Sequence, residues 1–246
     1  MTGWLASALA VGAGAGFGIL AATGSGSSKV DLGKTPGWAA PSAPGATPTP
    51  AVTAGVRSNG THYGSLQAFL LPVPDGYKPG PDEGELGGDG PMRPDQADSV
   101  LTVLFSTMAN ADVSGVQRAV QAGHMSGGAV RTYANEAGTL DLSFTVLQLD
   151  PALSAQSTSD FTRIVKQSKY YRPGPTVAGH TGAVCLLPTT HETGVLDSIT
   201  CLDTIGDTLA IARAEGLVPL DSGAVTDMFG RQLDLLKYGL KDGQKA

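Results

Sequence analysis

The sequence predicts an α+β domain, an antiparallel sheet with helices packed on one face, preceded by one N-terminal membrane helix and a disordered linker. Three observations carry this. Residues Trp4 to Thr23 form an uncharged run. A stretch dominated by Gly, Ser, Pro, Ala and Thr follows. Beyond it, strand and helix patterns succeed each other as β-α-α-β-β-α-β-β-β-α, with sequence-adjacent strands joined by short turns rather than helical crossovers. The expected boundaries are 1–23 for the membrane segment, 24–61 for the linker and 62–241 for the domain.

The twenty residues of the uncharged run would span about 30 Å as a helix, the hydrocarbon thickness of a bilayer. Two readings stand: an uncleaved single anchor, favoured by the length of the run, or a signal segment cut after small residues such as Gly24. Gly12, Gly14, Gly16 and Gly18 supply two overlapping G-x-x-x-G pairs that permit close helix approach. Lys29 and Lys34 follow the run and no Lys or Arg precedes it, which by the positive-inside rule alone would put the domain in the cytoplasm. The export reading therefore expects a basic region further upstream.

Gly and Pro make 34 and 16 of 246 residues and concentrate before residue 95. From Gly24 to about Gly60 there is too little apolar surface to offset the entropy of ordering the chain, so a spacer is expected. From His62 onward 21 acidic residues face 13 basic ones, a net charge of −8. Such a surface repels phosphate backbones, and nucleic acid is not an expected partner.

Within the domain, Gly64–Leu71 is read as a short strand ending at the Pro72-Val73-Pro74-Asp75-Gly76 turn. A helix capped by Asp95 carries Ala97, Val100, Leu101, Leu104, Phe105 and Met108 at helical spacing. A second helix starts at Asp112 or Ser114 and ends at Gly123. Strands are expected at Gly128–Tyr133 and Thr139–Leu149. In the latter, Leu140, Leu142, Phe144 and Val146 alternate with Asp141, Ser143 and Thr145, implying one buried and one polar face. A helix from Thr158 or Ser159 is closed by Pro173-Gly174-Pro175. Strands Ala183–Leu187, Leu196–Asp203 and Thr208–Ala214 precede a last helix, Ser222 to about Tyr238, with Val225, Met228, Phe229, Leu233 and Leu236 inward.

Cys185 and Cys201 fall in consecutive strands. If these form a hairpin, the pair can lie opposite each other and bridge, closing about 15 residues for roughly 3 kcal/mol. Export and an even cysteine count favour the bridge over two buried free thiols.

No catalytic, cofactor or metal site emerges. Gly33-Lys34-Thr35 lacks the upstream Gly and strand of a P-loop, G-x-S-x-G and S-x-x-K are absent, and His191-Glu192 has no second helical His. His62, His124, His180 and His191 are scattered in turn-like sequence and read as solvated. Asp82, Glu83, Glu85 and Asp89 lack EF-hand spacing and read as a solubilising loop. Arg163, Lys166, Lys169 and Arg172, beside Tyr170 and Tyr171, would form a basic stripe on a helix, a candidate contact for anionic polymers or a partner's carboxylates.

LLPVPDGYKPGPD at 70–82, GHTGAVC at 179–185, Cys201, and GLVPLDSGAVTDMFGRQLD at 216–234 resemble uncharacterised envelope proteins of Streptomyces-type actinobacteria. The resemblance covers roughly residues 64–240. It implies a secreted or anchored protein with paired cysteines and carries over no functional residue.

The leading expectation is a membrane-tethered, extracytoplasmic binding, sensing or accessory module with an envelope protein or polymer as partner. The alternatives are an envelope hydrolase using convergent carboxylates and a structural envelope protein.

Overall fold

The computed structural model describes residues 54–109, 120, 125–150, 170–189 and 196–239. The expected membrane segment, most of the expected linker, the helix expected from 158 and, but for Val120, the helix expected at 112–123 lie outside them. No helix among the described residues is long and apolar enough to cross a membrane.

The domain is α+β. Seven strands run in the order β3 (Tyr77–Pro79), β5 (Gly127–Asn135), β6 (Leu140–Gln148), β10 (Thr208–Gly216), β9 (Asp197–Ile205), β8 (Val184–Pro188) and β7 (Tyr171–Pro173). An eighth, β4 (Asp89–Met92), also pairs with β5, and every pairing is antiparallel. Among the described residues two long helices accompany the sheet, α1 (Pro94–Ala109) and α2 (Ser222–Tyr238). Proline at the first position of α1 is preset for helical φ and lacks an N–H the first turn could not use. Asp221 caps α2 by accepting the Ala224 N–H at 3.0 Å.

The helices lie on opposite faces of the sheet, which corrects the expectation of one covered face. Val225, Met228, Phe229, Leu233 and Leu236 of α2 pack with Leu142, Phe144, Val146, Ala210, Ala212 and Ala214. The alanine row on β10 leaves room for the Phe229 ring. Ala97, Leu101 and Leu104 of α1 pack with Val130, Leu147, Leu202, Leu209 and Ile211 on the other face. Strand period explains the split: successive side chains alternate sides, so β10 feeds both cores. The polar positions Ser143 and Thr145, expected to face water, are buried.

The disulfide is present. Cys185 and Cys201 are Cα partners 4.0 Å apart and their sulfurs bond, within the α2-side core.

Two further expectations are corrected. Leu66–Phe69 is a 3-10 turn capped by Ser65, not a strand. Gln232, fully buried on α2, explains why: its Nε2 donates to Phe69 O at 2.7 Å and its Oε1 accepts Leu71 N–H at 2.8 Å, doing the work a strand neighbour would otherwise do. Residues 171–173 are the edge strand β7 rather than a helix end.

The stretch expected as linker includes described structure. β1 (Gly55–Val56) pairs with β2 (His62–Tyr63), joined by a turn in which Asn59 Oδ1 accepts Thr61 N–H.

Candidate functional site

On the α1 side, the sheet changes character along its strands. One register row reads Val130, Thr145, Ile211, Leu202 and lies under α1. The next reads Thr132, Ser143, Arg213, Thr200, and the one beyond has Asp141, Glu215 and Ser198. These polar rows floor three adjoining depressions of about 340, 300 and 300 Å3. Arg213, at the middle of the central strand, borders all three.

One depression is walled by Leu86, Val100, Val103 and Leu104, with Glu83, Glu85, Arg93 and Asp95 at its mouth. Arg93 and Asp95 are committed to each other through two 3.1 Å hydrogen bonds. The Arg93 hydrogen bond holds the Asp95 carboxyl below its ordinary range.

The second depression is bounded by Asp82, Glu83, Asp141, Glu215, Thr132 and Ser143. The 80–88 loop is laid along β5 by Gly80 N–H to Thr132 O (3.1 Å) and Thr132 N–H to Gly88 O (2.8 Å). Glycine at position 80 is required, because a Cβ there would sit 2.6 Å from Tyr133 N. The third depression carries Tyr170 and Tyr171 beside Ser198, Thr200 and Glu215.

Arg213, Asp141 and Glu215 are exposed, and none forms an ion pair with a described residue. The carboxylates do not converge tightly enough to hold a metal: among the described residues no group of three or more His, Cys, Asp or Glu side chains could do so. The groove instead offers an uncommitted guanidinium, spaced carboxylates, hydroxyls and two aromatic rings.

Of the residues singled out from sequence, Asp82, Glu83 and Glu85 border this groove. Asp89 does not join them: it pairs with Arg131 at 3.1 Å on β4 and accepts from Gln67. Of the expected basic stripe only Arg172 falls among the described residues. Arg172 lies on a strand, and Arg163, Lys166 and Lys169 are outside the described residues. Cys185 and Cys201 are buried in the opposite core and take no part. Asp141, Arg213 and Glu215 were missed; their one signal was polar residues at alternate positions of strongly predicted strands.

His62 and His180 are not solvated. His180 is buried beside α2, where Gly230 leaves space for its ring, and its Nε2 lies 3.3 Å from Asp234 Oδ1. Nearby Asp203 is also buried. Desolvation raises its carboxyl above the ordinary range, opposed by the Thr204 N–H and by His180. His62 bonds Asp207 through Nδ1 at 2.6 Å, and its Nε2 lies 2.8 Å from Leu236 O. His124 and His191 are outside the described residues.

Comparison with protein-family models, with curated proteins and with solved structures gives no match for this chain.

Proposed function

We propose that the chain is a membrane-tethered binding module working outside the cytoplasm, with its ligand in the groove centred on Arg213. The observation that carries the binding site is the Arg213 guanidinium at the meeting of three depressions, with no ion-pair partner among the described residues and flanked by Asp141 and Glu215. A guanidinium fork suits a carboxylate, and the flanking Asp141 and Glu215 suit an ammonium. The favoured ligand therefore carries both groups, as an amino acid, a short peptide or a peptide-bearing envelope polymer does. Tyr170 and Tyr171 add apolar contact with polar tips at one end.

The extracytoplasmic placement is supported by the Cys185–Cys201 bridge, since such bonds persist in oxidising compartments. The Trp4–Thr23 run supports an anchor, or secretion if it is cleaved, and the residues after it support a disordered spacer. The resemblance to actinobacterial envelope proteins agrees.

Heteronuclear NMR titration with L-lysine, spermidine and acetate tests the groove. Lysine is expected to shift Arg213, Asp141 and Glu215 resonances more strongly than spermidine or acetate, and Arg213→Ala to abolish the lysine shifts. Equal responses to all three, or lysine shifts that survive Arg213→Ala, would refute the assignment.

One observation favours a second reading, an envelope glycan hydrolase: Asp141 and Glu215 are paired carboxylates on one face of a groove. Release of reducing ends from cell-wall glycan by the protein, lost in Asp141→Asn, would establish it over simple binding.

A further inference from the structure

We propose that Ser143 and Thr145 join Arg213 in a cradle for the carboxylate of an α-amino acid, whose aliphatic side chain then lies in the depression under α1. The inference deepens the proposed function and rests on it.

Ser143 and Thr145 stand two residues apart on β6 and face the α1 side of the sheet. They are only 4% and 7% exposed. Yet neither hydroxyl has a hydrogen-bond partner among the described residues. Buried polar groups are nearly always paired, because an unmade bond is costly. Thr132, on the same face of β5, shows the ordinary outcome: its hydroxyl donates to Gly88 O at 3.1 Å. Thr145 instead lines the depression under α1, and Ser143 lines the second one.

Arg213 is the Cα partner of Ser143 and borders both of these depressions. Residues two apart on a strand are separated by about 7 Å. A carboxylate that accepts a hydroxyl at each oxygen, with O–H···O distances of about 2.6 Å, bridges such a gap. The guanidinium fork closes the cradle from β10. All three groups can donate, which suits an anion.

The two directions along the sheet then differ. One row away stand Asp141 and Glu215, which suit an ammonium on the same carbon and repel a phosphate. On the other side lies the depression of about 340 Å3, walled by Leu86, Val100, Val103 and Leu104 with Ile211 beside Thr145. Val103 is 59% exposed, so apolar surface remains there for a ligand to cover. Arg93 and Asp95 at the mouth satisfy each other and do not compete. Glu83 and Glu85 admit a cationic tip, so the stem of L-lysine qualifies alongside the side chain of L-leucine.

The test titrates the full chain with glycine, L-leucine and L-lysine by heteronuclear NMR, for the wild type, Ser143→Ala, Thr145→Val and Arg213→Ala, with a thermal melt of each. L-leucine and L-lysine are expected to bind at least about tenfold more tightly than glycine, which has no side chain to bury. Ser143→Ala and Thr145→Val are each expected to weaken L-leucine about tenfold, the effect of losing a hydrogen bond to a charged group. Neither should lower Tm, since a hydroxyl without a partner contributes nothing to the fold. L-leucine binding that survives both substitutions but is lost in Arg213→Ala would overturn the cradle and leave the groove reading standing. Glycine binding as tightly as L-leucine would do the same to the side-chain assignment. A lowered Tm in both variants would assign the hydroxyls to the fold and overturn the cradle. Binding of none of the three amino acids to the wild type would remove the groove reading and this inference together.

Discussion

Asp141 and Glu215 are Cα partners on adjacent antiparallel strands, so two carboxylates stand directly opposite each other on one face of the sheet. Like charges in that position destabilise a sheet. Arg213, two residues along the same strand, neutralises neither through an ion pair. On the proposed reading, the pair serves a ligand at the expense of the fold.

Glu215→Gln is accordingly expected to stabilise the domain by about 0.2–1 kcal/mol while weakening amine binding. Urea unfolding measures the first effect and NMR titration with L-lysine the second. Lower stability together with unchanged binding would show that the pair serves packing instead.

Gln232 ties the 3-10 turn to α2 with both ends of its amide. Gln232→Ala leaves Phe69 O and Leu71 N–H unpaired in the core. At about 1–3 kcal/mol for each buried unsatisfied group, the expected loss is about 2–6 kcal/mol. The urea midpoint should fall with little change in slope.

Asp203 and Asp207 pull the pH dependence of stability in opposite directions. The folded carboxyl of Asp207 is lowered, so its contribution is present above its unfolded value and is lost as pH falls through the folded one. The folded carboxyl of Asp203 is raised, so the folded state holds its proton more tightly. Stability falls as pH rises from the unfolded value of 3.8 through the raised folded one. Asp203→Asn is therefore expected to raise Tm at neutral pH and leave the acid limb in place. Asp207→Asn is expected to lower Tm at neutral pH and flatten that limb. Thermal melts from acid to neutral pH check both signs.

Much of the fold was legible because its signals are local. β6 announces itself by the period-two run from Leu140 to Val146, and α2 by a stripe closed with Gly239, whose N–H reaches back to Leu235 O. The cysteine bridge was legible because the two strands that hold it are neighbours. What misled the reading was non-local. A short apolar run such as Ser65–Leu71 fits strand or helix, and a clamp from position 232 decides. Thr145 looks solvated until α1 is laid over its row. His62 sits in turn-like sequence between Gly60 and Gly64 and reads as exposed; the carboxylate it bonds is 145 residues away. The groove was hidden for the same reason, since Asp141, Arg213 and Glu215 meet only through strand register.

We propose a disulfide-bonded binding domain held outside the cytoplasm. Thiol alkylation of intact cells expressing the full chain, with and without reductant and read by intact mass, tests it most directly. The account predicts that Cys185 and Cys201 stay unlabelled until reductant is added and then react together. Labelling of both without reductant would contradict it and place the domain in a reducing compartment.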